Sequence, residues 1–195
     1  YYDNSLEHLE LELDMSLKRL GLEQVDLFYV HRKDKDTEIE EVTESLAKLI
    51  KKGKIKQFGF SEIAPTSLER ASKVHPVAAV QSEYSLATRY PELGLLQKCL
   101  SLGTTMVAFS PVGRSILTDN PHNRARAEKM PFLKNNPRFM SPNLERNVEV
   151  TKSFRLFARE RGYSAASLSI AWLLSRGPHI LPIPGTRSPK RLEEL

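Results

Sequence analysis

Short apolar runs of strand type alternate along the chain with longer stretches whose apolar residues recur every three or four positions. The short runs cover residues 25–30, 55–60, 77–81, 105–109 and 179–183. A period near 3.6 residues is typical of a helix with one buried face, whereas a short continuous apolar run is typical of a strand buried on both faces. Their alternation predicts successive β–α–β units and therefore a parallel sheet.

The predicted helices have recognisable ends. A capping box at Asn4 and Glu7 predicts a first helix that ends before Gly21, and a second box at Thr37 and Glu40 begins another. Further predicted helices begin near residue 65 and near Ser188, and span residues 92–102, 148–161 and 164–176.

One segment, residues 111–147, interrupts this rhythm. It contains several prolines and many Arg and Lys residues, but few periodic apolar positions. A connection of this length in a compact domain is usually either a functional loop or a mobile one, and the sequence leaves both interpretations open.

Polar residues stand at the carboxyl end of each predicted strand. They are His31, Ser61 and Glu62, Gln81, Ser110, and residues 184–187. In an α/β barrel the site residues lie at this end of the strands. A doubly wound open sheet is the alternative, but it usually carries a glycine-rich phosphate turn after its first strand, and none is found.

The predicted fold class is therefore α/β, a (β/α)8 TIM barrel that is incomplete in this sequence, with about five C-terminal βα units in a single domain over residues 1–195. We expect three leading βα units and a terminal helix to be absent from this sequence. An open barrel would expose two strand edges, so self-association is expected of such a chain.

Composition narrows the class of protein. The chain has 195 residues, of which 40% are hydrophobic, and no run approaches the roughly 18 apolar residues of a membrane span. No secretory signal is visible, and a single cysteine, Cys99, suits a reducing compartment, so a cytoplasmic location is expected. The histidines are not spaced as metal ligands, and no metal site is predicted.

The net charge of +5 and the sequence pI of about 9.3 raise the question of nucleic-acid binding. The basic residues are scattered and interleaved with Glu, without a basic block that includes aromatics, so nucleic acid is not an expected partner. A basic cleft for an anionic cofactor is the better explanation of the excess charge.

Six ordered motifs give the chain a family resemblance. They occupy residues 16–21, 25–31, 54–61, 79–85, 107–113 and 183–189. In this order they resemble the aldo-keto reductase family over nearly the whole chain. The motif Ser61-Glu62 with residues 81–84 is most similar to the branch of pyridoxal reductases and perakine-reductase-like plant enzymes.

The resemblance implies an NADPH-dependent oxidoreductase that reduces aldehydes or ketones to alcohols by hydride transfer, with a small carbonyl compound as substrate. Its catalytic tetrad is Tyr, Lys, Asp and His, and His31 matches the His that orients the carbonyl by hydrogen bonding. Without the resemblance, a structural strand-end His is the simpler interpretation. Tyr1 and Tyr2 lie outside the catalytic motif. We expect the other three members to precede this sequence, and the 195 residues alone to show little or no turnover.

The resemblance also implies residues that hold NADPH or NADP+. Ser61 and Gln81 correspond to the residues that hold the nicotinamide carboxamide, and Phe109 to a residue that stacks on the ring. Glu62 replaces the usual Asn. A carboxylate accepts hydrogen bonds but cannot donate them, so whether Glu62 touches the cofactor is left open.

Two further segments match the rest of the cofactor. The loop that crosses the pyrophosphate corresponds to Ser110, Val112, Gly113 and Ser115, and Arg114 either pairs with phosphate or is solvated. The segment that holds the adenosine 2′-phosphate and the adenine corresponds to Gly185, Thr186, Arg187, Arg191 and Glu194. This segment favours NADP(H) over NAD(H), although a merely solvated helix start is the alternative. Leu195 stands where the family usually has an adenine-contacting Asn.

Two other functions remain open at this stage. One is a non-catalytic NADP(H)-binding regulatory or scaffold subunit of the same fold. The other is a remnant with neither activity. Upstream sequence that contains the Asp, Tyr and Lys of the tetrad would favour the enzyme.

Overall fold

The computed structural model describes residues 2–194, so Tyr1 and Leu195 lie outside the described residues. Within that range the chain forms two compact units. Unit 1 comprises residues 2–82, 90–107 and 179–181, and unit 2 comprises residues 83–89, 108–178 and 182–194. The single domain over residues 1–195 stays a prediction. No helix between residues 2 and 194 combines the length and the apolar character needed to cross a membrane.

Five strands form one sheet, in which they stand side by side in sequence order. Its strands are β1 (Val25–Val30), β2 (Ile55–Ser61), β3 (Ala79–Glu83), β4 (Thr105–Phe109) and β5 (Ile180–Ile183). Strand β1 pairs in parallel with β2, and β2 pairs in parallel with β3. This arrangement confirms the predicted succession of β–α–β units, since parallel neighbours need a crossover connection.

The helices connect or follow these strands. They are α1 (Leu6–Leu20), α2 (Ile39–Lys51), α3 (Pro65–Val74), α4 (Leu95–Leu102), α5 (Arg124–Glu128), α6 (Asn143–Val150), α7 (Lys152–Glu160), α8 (Ala165–Leu174) and α9 (Pro189–Glu193). In unit 1, α1 buries Leu13 and α2 buries Val42, Leu46 and Leu49 completely. Burying one such side chain contributes about 1.5–3 kcal/mol, so these helix faces anchor the unit.

Both predicted capping boxes are wrong, although the two helices predicted from them are present. Ser5 caps α1, because its Oγ accepts a hydrogen bond from the amide of His8 at 3.3 Å. The residue that precedes α2 is Glu38, whose side chain makes no capping bond. Thr37 instead donates its hydroxyl to the Asp34 carboxylate at 2.9 Å. Its side chain is therefore bonded to the preceding loop and does not cap the helix.

Two element boundaries also differ from expectation. The third strand was predicted over residues 77–81, but β3 runs from Ala79 to Glu83, so Gln81 lies in the middle of the strand, where it is the register partner of Ser61. The helix predicted over residues 92–102 is interrupted at Gly94, whose φ of 130° is incompatible with an α-helix, and α4 begins only after it.

The segment 111–147, in unit 2, is not an unstructured loop. It contains α5 and short 3₁₀ turns, and the helix predicted over residues 148–161 is replaced by α6 and α7. Five buried side chains form a small core of its own: Ile116, Ala127, Leu133, Phe139 and Leu144. This core argues against the mobile interpretation, because each apolar contact it makes opposes opening of the segment.

Candidate functional site

In unit 1, two predicted site residues lie at the carboxyl ends of neighbouring strands, and a third, Gln81, lies beside one of them in the middle of β3. His31 directly follows β1 and is exposed, whereas Ser61 ends β2 and is buried. Gln81 of β3 is the register partner of Ser61. Because the paired strands are parallel, the ends of β1 and β2 meet at one edge of the sheet, and the register places Gln81 beside Ser61 at that edge.

Arg32 is a neighbour of this group to which the sequence assigned no role. Its Nη1 donates to the Ser61 Oγ at 3.1 Å and to the His31 carbonyl oxygen at 2.5 Å. The guanidinium therefore ties the loop after β1 to the end of β2. Only the side-by-side placement of the two strands brings these groups together, since they are 29 residues apart in the chain.

The residues around Gln81 shape the same edge. Burial raises the pKa of the Tyr29 phenol, and the Gln81 side chain opposes this shift in part, so Tyr29 stays neutral at physiological pH. Glu62 is exposed with a φ of 55°, and its amide donates to the Gln81 carbonyl oxygen at 2.9 Å.

Unit 2 contains a cleft of about 1260 Å³. Every predicted cofactor residue of unit 2 except Gly113 lines it: Phe109, Ser110, Val112, Ser115, Gly185, Thr186, Arg187, Arg191 and Glu194. The structure thus brings together two segments that are about 75 residues apart in the chain, one that follows β4 and one that follows β5.

Gly113 lies close to the cleft residues but does not line the cleft. Its φ is 57°, and a Cβ at this position would lie 3.4 Å from the Leu117 Cγ and 3.5 Å from the Ala87 Cβ. The left-handed backbone therefore favours glycine here, whereas a Cβ would meet its neighbours in unit 2 only at ordinary van der Waals distance. A direct contact of Gly113 with a cofactor stays a prediction.

The loop after β4 has an unusual backbone. Ser110, Arg114 and Ser115 have φ values of 52°, 52° and 94°, and within residues 2–194 only Glu62 shares this property among the non-glycine residues. Each left-handed residue costs about 1–2 kcal/mol. Such conformations persist only where surrounding contacts hold them, and they concentrate at functional sites.

Positive charge dominates the cleft wall. Four arginines line it, Arg114, Arg126, Arg187 and Arg191, against two carboxylates, Asp119 and Glu194. The Asp119 Oδ2 already accepts a hydrogen bond from the Ala165 amide at 3.0 Å, at the start of α8. The remaining excess of positive charge favours an anionic ligand.

Three of these arginines have no acidic partner in the described part of the chain. Among residues 2–194, Arg126, Arg187 and Arg191 make no ion pair within 4.0 Å. Arg124, by contrast, pairs with Glu128 at 2.8 Å and does not line the cleft. Guanidinium groups left available on the wall of a cleft are suited to bind phosphate oxygens.

His122 also lines the cleft, although its spacing in the sequence carried no signal for a site. Its amide donates to the Ser115 Oγ at 3.0 Å, and its buried Nδ1 has no hydrogen-bond partner within residues 2–194. Burial lowers the pKa of His122, and the charges of Arg126 and Arg191 lower it further. A neutral imidazole can donate one hydrogen bond to a ligand in this cleft.

Metal binding finds no support in the described residues. No group of three or more His, Cys, Asp or Glu side chains between residues 2 and 194 could hold a metal ion.

Comparison with known proteins identifies the family and the fold of this chain. A model of the aldo/keto reductase family matches residues 2–195. The chain is 38% identical over 195 residues to the aldo-keto reductase yakc of Schizosaccharomyces pombe, whose name specifies NADP(+), covering 98% of this chain and 57% of the relative. It is 36% identical over 195 residues to the probable aldo-keto reductase 1 of Glycine max, covering 98% and 55%.

Among solved structures, a glycerol dehydrogenase from Gluconobacter oxydans superposes with a TM-score of 0.85 at 27% identity, covering 100% of this chain and 59% of that one. A thermostable aldo-keto reductase in complex with epalrestat gives a TM-score of 0.73 at 26% identity, covering 96% and 59%. The chain thus spans somewhat more than half the length of the relatives it matches. The predicted fold class, a (β/α)8 barrel of which this chain contains five βα units, is confirmed.

Proposed function

The chain belongs to the aldo/keto reductase family, and from that premise we propose that it is an NADP(H)-dependent oxidoreductase that reduces aldehydes or ketones to alcohols by hydride transfer. One observation carries the proposal: the cleft of unit 2 presents Arg126, Arg187 and Arg191 without acidic partners among the described residues. The name of the fission-yeast relative, which specifies NADP(+), supports the same cofactor.

The residues of the cleft fit a phosphorylated dinucleotide. Its volume of about 1260 Å³ exceeds the roughly 300–1,000 Å³ of an ordinary small-ligand pocket, as an extended dinucleotide requires. Thr186, Arg187 and Arg191 would hold the 2′-phosphate, the loop 110–115 would hold the pyrophosphate, and Phe109 would offer its ring for stacking. The nicotinamide, when bound, supplies the hydride.

His31 is the residue proposed to orient the substrate. Its imidazole is exposed at the end of β1 and makes no hydrogen bond with another residue in the range 2–194, so it is available to donate to a carbonyl oxygen. Ser61 and Gln81, at the same edge of unit 1, are proposed to hold the carboxamide of the nicotinamide.

The finer assignments rest on sequence. The motif Ser61-Glu62 with residues 81–84 supports the branch of pyridoxal reductases and perakine-reductase-like enzymes. A small-molecule carbonyl substrate, a cytoplasmic location and self-association remain part of this proposal.

The first test is cofactor affinity, measured by isothermal titration calorimetry with NADP+ and NAD+. Arg191→Ala is expected to weaken NADP+ binding about tenfold and NAD+ binding less than about twofold, because one charge-assisted bond to the 2′-phosphate is lost. Lys190→Ala is the matched control, since Lys190 neighbours Arg191 in α9 but does not line the cleft. A wild-type protein that binds neither dinucleotide would refute the proposal.

The second test is turnover in the full-length protein, followed as carbonyl-dependent oxidation of NADPH. His31→Ala is expected to lower kcat by about 10²–10³, the effect of removing one donor to a developing oxyanion, while the Kd for NADP+ stays unchanged. Tight dinucleotide binding without turnover of any aldehyde or ketone would instead favour the non-catalytic regulatory subunit.

A further inference from the structure

Glu83, the last residue of β3, joins two arginines within unit 2. One carboxylate oxygen, Oε1, accepts from the Arg138 Nη1 at 2.5 Å and from the Thr88 Oγ1 at 3.0 Å. The other, Oε2, accepts from the Arg114 Nη2 at 3.4 Å. The Glu83 side chain is only 16% exposed, so these charge-assisted bonds are weakly screened by water.

Arg114 is the member of this cluster that reaches the cofactor cleft. Its Nε donates to the Ser110 Oγ at 3.3 Å, while its Nη2 is bound to Glu83. The guanidinium is therefore held on two sides, although the Arg114 backbone is left-handed with a φ of 52°. Holding an arginine in one orientation costs side-chain entropy, and these bonds offset part of that cost before any ligand binds.

We propose that Glu83 is a positioning residue for the cofactor: it fixes the guanidinium of Arg114 at the cleft wall, where this group contacts the pyrophosphate of a bound dinucleotide. The proposal rests on the proposed function of the cleft. Arg138 and Thr88 fix the carboxylate in turn. Two guanidinium groups share one carboxylate, so the cluster keeps a net positive charge that an anion can use.

The positioning role and the summed charge of the cleft predict opposite effects of Glu83→Gln on the affinity for a dinucleotide. Removing a negative charge near an anion site strengthens binding if only the summed charge matters. If Glu83 positions Arg114, the same change weakens binding, because the arginine loses the partner that holds it. The direction of the effect therefore separates the two explanations.

A double-mutant cycle on the full-length protein tests the role, with the Kd values of NADP+ and NAD+ as readouts. Glu83→Gln is expected to weaken both by about five- to tenfold and by the same factor, because the two dinucleotides share the pyrophosphate. Arg114→Ala is expected to weaken both similarly. In the Arg114→Ala background, Glu83→Gln should add less than about twofold, since its effect passes through the arginine.

Two further variants complete the design. Arg114→Lys keeps the charge but loses the planar fork that presents one N–H to Ser110 and another to Glu83, so it should weaken binding about as much as Glu83→Gln. It also tests the positioning role if Glu83→Gln does not fold. Glu128→Gln makes the same charge change at the exposed pair with Arg124 and should leave both Kd values unchanged.

The outcomes separate this role from the proposed function. If the wild-type protein binds neither dinucleotide, both proposals fail. If it binds them, the positioning role alone is overturned by any of three results: Glu83→Gln leaves or strengthens affinity, it weakens affinity equally in the Arg114→Ala background, or Arg114→Lys binds like wild type.

Discussion

Asn4 and Asp34 hold each other through reciprocal hydrogen bonds. The Asn4 amide donates to the Asp34 Oδ2 at 2.9 Å, and the Asp34 amide donates to the Asn4 Oδ1 at 2.7 Å. The Asn4 Nδ2 also donates to the carbonyl oxygen of Arg32 at 3.2 Å. Asn4 is buried, so the segment before α1 fixes the loop after β1, which carries the proposed catalytic His31.

Asn4→Ala is expected to lower the free energy of unfolding by about 1 kcal/mol, because it removes two side-chain hydrogen bonds that the buried Asn4 makes to the partly buried Asp34 loop. Urea unfolding of the full-length protein measures this change. Asn135→Ala is a matched control, since Asn135 is exposed and should change stability by no more than about 0.5 kcal/mol. Equal effects of the two substitutions would contradict the structural role of Asn4.

Asp34 should also make the stability of the folded state depend on pH. Burial alone would raise the pKa of Asp34, but hydrogen bonds from the amide and hydroxyl of Thr37 and from the amide of Asn4 outweigh it, so the pKa lies below its ordinary value of 3.8. A carboxyl group with a lowered pKa stabilises the folded state above that ordinary value, and the contribution is lost as the pH falls through the lowered pKa.

Asp34→Asn is therefore expected to be less stable than wild type near neutral pH, with the difference shrinking between about pH 5 and pH 3. Unfolding by urea at a series of pH values measures both curves. A difference in stability that stays constant down to the lowest pH would show that ionisation of Asp34 does not contribute.

Two glycines should differ sharply in their tolerance of a side chain. A Cβ on Gly59 would lie 2.5 Å from the Tyr29 Cε1 and 2.7 Å from the backbone oxygen of Ala79, which cannot move without disturbing the sheet. Gly59→Ala is expected to lower stability by about 1–3 kcal/mol or more. Gly185→Ala meets no described atom within 4 Å and should be nearly neutral in the same urea experiment.

Two arginines of α5 provide a matched pair for binding. Arg126 lines the cleft and lacks an acidic partner in the described chain, whereas Arg124 pairs with Glu128 away from it. Arg126→Ala is expected to weaken NADP+ binding about tenfold and Arg124→Ala less than about twofold, as measured by calorimetry. Equal losses would mean that net charge, and not the placement of Arg126, governs affinity.

Local patterns in the sequence were sufficient to predict the order and type of the main helices and strands. The period of the apolar residues is set by residues only a few positions apart. The helix ends at Gly21 and Gly103, which follow α1 and α4, are equally local signals. The resemblance to aldo-keto reductases, which rested on six motifs, is confirmed by the family match. The candidate site residues were predicted from their places at or after strand ends and from that resemblance, and their roles stay predictions.

Only the tertiary structure decided how polar groups are paired. Glu83 meets Arg114 and Arg138 across 31 and 55 residues of chain, and Asn4 meets Asp34 across 30. Arg124 and Arg126 look alike in sequence; the i,i+4 spacing within α5 pairs Arg124 with Glu128, but only the fold places Arg126 at the cleft. Helical and strand periods carry no information over such separations, because these partners are set by where the folded elements lie.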